Sequence, residues 1–206
     1  MQEQTSAKDL NDRLALIETM IAEGRRSTES WGWAFLLWGV AYYVAIEWAS
    51  WGQHASIWGH SQVAWPVTMI VAFVLTMIIG FRKGRAQPGT IVGRAITSVW
   101  VSVGISMLLL FPALSSSGRI DQHSFVASVA AMLGAANAAS GMILKWKMQI
   151  ACAVAWWAVS VAACFGSDAQ VMGLFLVGIF FCQIIFGIYV MISEAQRNKK
   201  NAGAHA

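Results

Sequence analysis

Residues 63–81 read VAWPVTMIVAFVLTMIIGF and contain no charged side chain. At about 1.5 Å per residue, a helix of this length covers roughly 30 Å, the thickness of the hydrocarbon core of a bilayer. Other apolar runs of similar length lie on both sides of it, so we predict six transmembrane helices. They lie at residues 31–50, 63–81, 91–114, 124–144, 148–165 and 169–192.

The composition agrees with a lipid environment. Of 206 residues, 57% are hydrophobic and only 12% are charged, about half the charged share of an ordinary soluble domain. A chain in lipid must satisfy its own backbone hydrogen bonds, and long unbroken apolar runs do so as helices, whereas a β-barrel would show short alternating segments. The sequence therefore predicts an all-α membrane protein, a six-transmembrane-helix bundle.

The basic residues predict the orientation of the bundle. All Lys and Arg residues except Arg119 lie before the first span, after the sixth, or around the loops that join spans two to three and four to five. The positive-inside rule then puts both termini in the cytoplasm, with residues 193–206 as a short tail. Membrane orientation and anionic headgroups account for the net charge of +4, so we expect no nucleic-acid partner.

Residues 1–30 form the longest polar segment and predict a cytoplasmic amphipathic helix. Leu10, Leu14, Ile17 and Ile21 recur at helical spacing and share one face. In one interpretation this face lies on the inner membrane surface or under the bundle. In the other it docks onto a second copy of the chain or onto a membrane or cytoplasmic protein partner, with Leu14, Ile17 and Ile21 as contact residues.

Few polar side chains interrupt the predicted spans. Glu47 is the only acidic one, and its place near the outer end, beside Trp48 and Trp51, favours anchoring at the headgroups. The alternative is a proton or cation role, because ionisable groups inside a membrane are costly. In that case Glu47, Asn137 and Gln183 are the candidates for a polar pathway.

Small and hydroxyl-bearing residues predict a close contact between the third and fourth spans. Ser98, Ser102 and Ser106 form one stripe on the third span, and the fourth is rich in Ala and Gly. Small side chains let helices approach closely, and hydroxyls can bond across the contact. Packing therefore explains the stripe without a substrate pathway.

A tryptophan followed by small and branched residues recurs in the odd-numbered spans, at Trp38, Trp100 and Trp157. Transporters and channels are often assembled from duplicated units. This recurrence suggests an alternative function, a small transporter or channel built from three helical hairpins.

The sequence indicates no catalytic, cofactor or metal site. Nucleotide-binding, nucleophile-elbow and zinc-protease motifs are missing, and the three Cys residues lack metal-site spacing. His54, His60 and His123 share the predicted outer side, but without the spacing of metal ligands on a helix. We therefore expect a non-catalytic protein with no cofactor.

Residues 16–21 read LIETMI and residues 36–40 read LLWGV. With a short N-terminal helix of the form I-E-x-M-I and a first span containing L-W-G, the chain resembles a group of uncharacterised small bacterial multi-pass membrane proteins. The likeness is close in the N-terminal part. Over the rest of the chain it consists of the layout of hydrophobic hairpins. It implies a bacterial plasma (inner) membrane and brings no substrate, cofactor or catalytic residue with it.

These observations together predict a non-catalytic membrane component, acting as an accessory, scaffold or signalling protein. The N-terminal helix is the largest predicted element outside the membrane, and we expect it to make the contacts that define the role of the protein.

Overall fold

The computed structural model describes residues 10, 12–20, 22, 31–51, 61–84, 91–119 and 121–203. Throughout these residues the regular structure is helical and contains no strand, which confirms the all-α prediction. The elements are α1 (Gly32–Trp51), α2 (Ser61–Gly84), α3 (Ile91–Ser116), α4 (Gln122–Ile143), α5 (Lys147–Ala163), α6 (Asp168–Ile179), a π-helical segment (Phe180–Ile185) and α7 (Phe186–Gly203). We call the continuous helix formed by α6, the π segment and α7 the C-terminal helix.

Four stretches of helix are long and apolar enough to cross a membrane: Val63–Arg82, Ile91–Leu114, Gln122–Ile143 and Asp168–Lys199. They match four of the six predicted spans. The other two predicted spans are also helical, but Lys147–Ala163 is shorter, and α1 carries Glu47 and several Trp and Tyr residues that lower its mean hydropathy. The C-terminal helix continues beyond residue 192 into the segment predicted as a tail.

The tightest pair of helices is α4 and α5, which run antiparallel. A Cβ atom at Gly134 would lie 2.5 Å from the Trp157 Nε1 atom, and one at Gly141 would lie 3.0 Å from the Ile150 nitrogen. Gly141 and Gly134 lie two helical turns apart, and the Ser160 hydroxyl donates to the Ala127 carbonyl two turns further along α4, so α5 accompanies α4 along most of its length. The small residues of α4 therefore serve its contact with α5.

The predicted use of the serine stripe on α3 is wrong. Ser98, Ser102 and Ser106 are all exposed, although α3 does contact α4. The Ser98 hydroxyl donates to the Arg94 carbonyl and the Ser106 hydroxyl to the Ser102 carbonyl. Hydroxyls that bond to their own helix need no partner on a neighbour, so the stripe can face outward.

Helix α1 lies antiparallel against the C-terminal helix. At one end, a Cβ at Gly187 would lie 2.9 Å from the Gly32 carbonyl oxygen, so the two backbones touch. Toward the other end, the Tyr43 hydroxyl donates to the Leu176 carbonyl at 2.9 Å. These contacts lie about three helical turns apart, so the two helices pack together over more than half of α1.

Helices α2 and α3 lie at the periphery. Only 11% of the apolar window of α2 and 6% of that of α3 is buried within the chain, against 56% for α4. Helix α2 packs on α1 and α3 packs on α4, but α2 and α3 have few direct contacts with each other. A gap therefore opens between them, and α1 forms its floor.

Candidate functional site

The gap between α2 and α3 leads into a cavity of about 350 Å³. This volume falls at the lower end of the range of small-molecule pockets, roughly 300–1,000 Å³. Its walls come from α1, α2 and α3, with Leu133 of α4 and Gln183 of the π segment completing the floor. Most of the lining is apolar or aromatic.

Aromatic side chains hold the walls in place. The Phe35 and Trp100 rings meet edge to face with centroids 5.2 Å apart, and Phe35 makes a similar contact with Phe186. The Trp38 indole nitrogen donates to the Thr76 hydroxyl at 3.1 Å, which ties α1 to α2. In these contacts the side chains that line the cavity pack on or bond to other side chains of the protein. The walls are therefore held by contacts between helices.

Two further wall residues have their polar groups paired within the protein. The Trp100 indole nitrogen donates to the Ser140 hydroxyl at 3.0 Å, and the Thr97 hydroxyl donates to the Gly93 carbonyl at 2.9 Å. The Trp100 bond joins α3 to α4. Because these groups are satisfied, they present little polarity to the cavity.

Gln183 differs from these wall residues. Its side chain is only 2% exposed and lines the cavity, yet no hydrogen bond joins its carboxamide to another described residue. It lies in the π segment Phe180–Ile185, a geometry that occurs often at functional sites. Gly39 of α1 allows this position, since a Cβ there would lie 3.0 Å from the Gln183 Cβ atom.

The cavity ends at Tyr42, where an aromatic cluster begins. Tyr42 lies edge to face against Trp65 and Phe175, with centroids 5.9 and 5.8 Å apart. Phe125 joins Trp65 and Phe175, and Phe111 in turn joins Phe125. This cluster fills the bundle beyond the cavity with rings from five helices, so the cavity is blind in that direction.

The structure does not bring the three pathway candidates into one cavity. Gln183 lines it, whereas Glu47 is exposed near the end of α1. Asn137 is fully buried and donates from Nδ2 to the Leu133 carbonyl at 2.8 Å, while its Oδ1 atom has no partner among the described residues. Leu133 lines the cavity, so Asn137 lies one helical turn from the lining.

The docking candidates lie on a separate helix. Residues 12–20 are helical, as predicted, and Leu14 and Ile17 are 51% and 52% exposed. Ile21 lies outside the described residues. Leu10 and Leu16 are exposed as well, so these four apolar side chains are not covered by the described part of the bundle.

His123 connects the ends of three helices by hydrogen bonds. Its Nε2 atom lies 2.7 Å from Asp168 Oδ1 and its Nδ1 atom 2.8 Å from the Ala163 carbonyl oxygen, so α4, α5 and α6 meet there. Next to it, the Ser124 backbone amide donates to Asp121 at 2.6 Å and holds the pKa of that carboxyl below its usual value.

The outer histidines form no metal site within the described residues. His54 and His60 lie outside them, and among the rest no three His, Cys, Asp or Glu side chains are grouped to hold a metal ion. His123 instead makes a structural contact with Asp168.

The cavity is only partly signalled in the sequence. Trp38 and Trp100, two members of the recurring tryptophan pattern, both line it, while Trp157 packs on Gly134 instead. The sequence marks Gln183 as a polar residue within a predicted span, but nothing in the sequence FFCQII of the π segment indicates a π-helix.

The chain matches no protein-family model, no curated protein and no solved structure.

Proposed function

We propose that the protein is a non-catalytic component of a bacterial inner membrane that crosses the bilayer six times with both termini in the cytoplasm. It contacts a protein partner or a second copy of itself through its N-terminal helix. The observation that carries this proposal is the exposure of Leu14 and Ile17 on one face of helical residues 12–20. Amphipathic helices bind partner proteins by laying such an apolar face into a groove.

Two antiparallel pairings support six crossings rather than four. Helix α5 runs beside α4 from the Gly141–Ile150 contact to the bond between His123 and Ala163. It has 17 residues, the lower limit of about 17–25 for a crossing helix. If α4 crosses the bilayer, α5 lies at the same depths.

Helix α1 is supported in the same way. It has 20 residues and lies against the C-terminal helix from Gly32 to Tyr43. Its Trp and Tyr residues suit the membrane interface, which agrees with a span in spite of its lower mean hydropathy. An even number of crossings puts both termini on one side, as the basic residues predict.

The alternative, a small transporter or channel, has less support from the geometry. Glu47, Asn137 and Gln183 do not share a cavity, and the cavity that Gln183 lines is blocked by the aromatic cluster at Tyr42. A fixed cluster of interlocking rings favours a closed bundle over a pathway.

The test is recovery of the tagged protein from its native membrane in mild detergent, with the mass of the complex measured. The variant Leu14→Asp/Ile17→Asp places two charges on the apolar face. Thr19→Asp is the matched control, because Thr19 is exposed on the opposite face of the same helix. Both variants should unfold at the temperature of the wild type.

We expect wild type and Thr19→Asp to yield the same complex, either a dimer or a stoichiometric complex, and the double variant to yield the single chain. Equal recovery from all three proteins would refute docking through this face. A wild-type protein recovered as a single chain alone would refute it as well.

A further inference from the structure

The cavity combines an apolar body with the carboxamide of Gln183. Gln183 is 2% exposed and its carboxamide has no bond to a described residue. By contrast, Trp38, Thr76 and Trp100 have partners within the protein. A carboxamide that faces an apolar cavity without a partner would gain from a ligand that supplies the missing hydrogen bond.

The cavity is reached from the side of the bundle. Phe81 of α2 and Val101 of α3 both line it and are 70% and 38% exposed. In a bilayer, exposed apolar side chains of these two helices face the acyl chains, and α2 and α3 have few contacts that would close the gap. Molecules dissolved in the bilayer therefore have direct access, whereas the aromatic cluster closes the far end.

We propose that this cavity binds a membrane-dissolved carbonyl compound with a flat apolar ring, of the quinone class, and that the Gln183 carboxamide donates a hydrogen bond to its carbonyl oxygen. The site is independent of docking through the N-terminal helix and requires only that the bundle lies in a bilayer.

Two features favour a ring with a carbonyl over an acyl chain. A hydrocarbon chain has no acceptor, so it would leave the buried Gln183 amide unpaired. The lining also holds the indoles of Trp31, Trp38 and Trp100 and the rings of Phe35 and Phe73, and aromatic side chains pack well on flat π-systems.

The probe is decylubiquinone, titrated into the purified full-length protein in lipid nanodiscs, with binding followed by quenching of tryptophan fluorescence. Gln183→Met removes the hydrogen bond and keeps the volume. Gly104→Leu fills the cavity, because a Cβ at Gly104 meets no atom within 4 Å. The matched controls are Gln149→Met, at a buried glutamine that does not line the cavity, and Gly173→Leu, at an open glycine outside it.

We expect saturable binding to the wild type and both controls. Loss of one hydrogen bond should weaken binding to Gln183→Met by roughly five- to tenfold, and Gly104→Leu should weaken it at least as much. Dodecane at the same concentration should not displace the quinone.

Three results would overturn the proposal. One is quenching that does not saturate with wild type, which indicates partition into lipid alone. Another is equal affinity for wild type and Gln183→Met. The third is displacement by dodecane, which would make the cavity an acyl-chain site. The variant Gly104→Leu keeps the test decisive if Gln183→Met fails to fold.

Discussion

The backbone contact between α1 and α7 leaves no room for a side chain at Gly187. In Gly187→Ala the new Cβ would lie 2.9 Å from the Gly32 carbonyl oxygen, 2.9 Å from the Leu36 nitrogen and 3.2 Å from the Phe35 Cβ atom. Non-bonded heavy atoms prefer about 3.5–4.0 Å. Two of the three contacts are with backbone, so α1 itself must move by at least half an ångström.

Overpacking of this kind costs about 1–3 kcal/mol. For a chain of this size, about 2–4 °C of melting temperature is lost per kcal/mol, so Gly187→Ala should melt roughly 2–12 °C below Gly173→Ala, which gains the same helix propensity without the new contacts. Because α1 also bounds the cavity, the same shift should lower the affinity for any ligand that binds there.

Gly173→Ala is the matched control, since Gly173 lies in the same C-terminal helix and a Cβ there meets no atom within 4 Å. Alanine is favoured over glycine in a helix by about 1 kcal/mol, so the control should melt at or above the wild-type temperature. Melting would be followed in detergent micelles by circular dichroism. If Gly187→Ala melts together with Gly173→Ala, the two helices do not cross at Gly32 and Gly187, and the packing described for α1 is wrong.

Three further changes test other contacts by the same melting assay. Lys145 has a φ of 50° between α4 and α5, a conformation that glycine adopts without strain, so Lys145→Gly should raise the stability by up to about 1 kcal/mol; a fall would refute strain at this turn. Ser140→Ala leaves the Trp100 indole nitrogen without its acceptor and should cost about 1–3 kcal/mol; an unchanged melting temperature would show that this bond does not hold α3 to α4. His123→Ala removes the contact with Asp168, which should lower the melting temperature less than Ser140→Ala does and with an effect that shrinks in high salt; an effect independent of salt would exclude an ionic contribution.

Much of the architecture follows from the sequence because bilayer thickness fixes how long an apolar run must be. The helix over Ile91–Leu114 coincides with the predicted span, and α4 and α5 begin within two residues of the predicted starts. The helical face of Leu14 and Ile17 was likewise predictable from spacing alone.

Side-chain orientation within the spans was less predictable, since nearly every residue there is apolar. The serines of α3 were expected to face α4, but each can bond to its own helix, so their pattern carries no information about which face packs. The periodicity of α4 did not distinguish α3 from α5 as its closest partner.

The cavity and the π segment depend on contacts between distant parts of the chain. Gln183 lines the cavity because Gly39 lets α1 approach the π segment, and the opening exists because α2 and α3 pack on different helices. Such features arise from tertiary packing, so no local pattern around Gln183 could reveal them.

The proposed topology, six crossings of the bilayer with both ends inside, can be tested by labelling single cysteines in whole cells with a membrane-impermeant maleimide. Cys152 and Cys182 are buried and would be replaced by serine in every variant, and Cys164 in all but one. The reporter positions are Thr19, Ser50, Ser117, Lys147, Cys164 and Ala195, all exposed.

Six crossings predict that cysteines at positions 50, 117 and 164 react in intact cells, and that those at positions 19, 147 and 195 react only after permeabilisation. The decisive pairs are 19 with 50, across α1, and 147 with 164, across α5. If either pair reacts from the same side of the membrane, that helix does not cross, and the bundle does not span the bilayer six times.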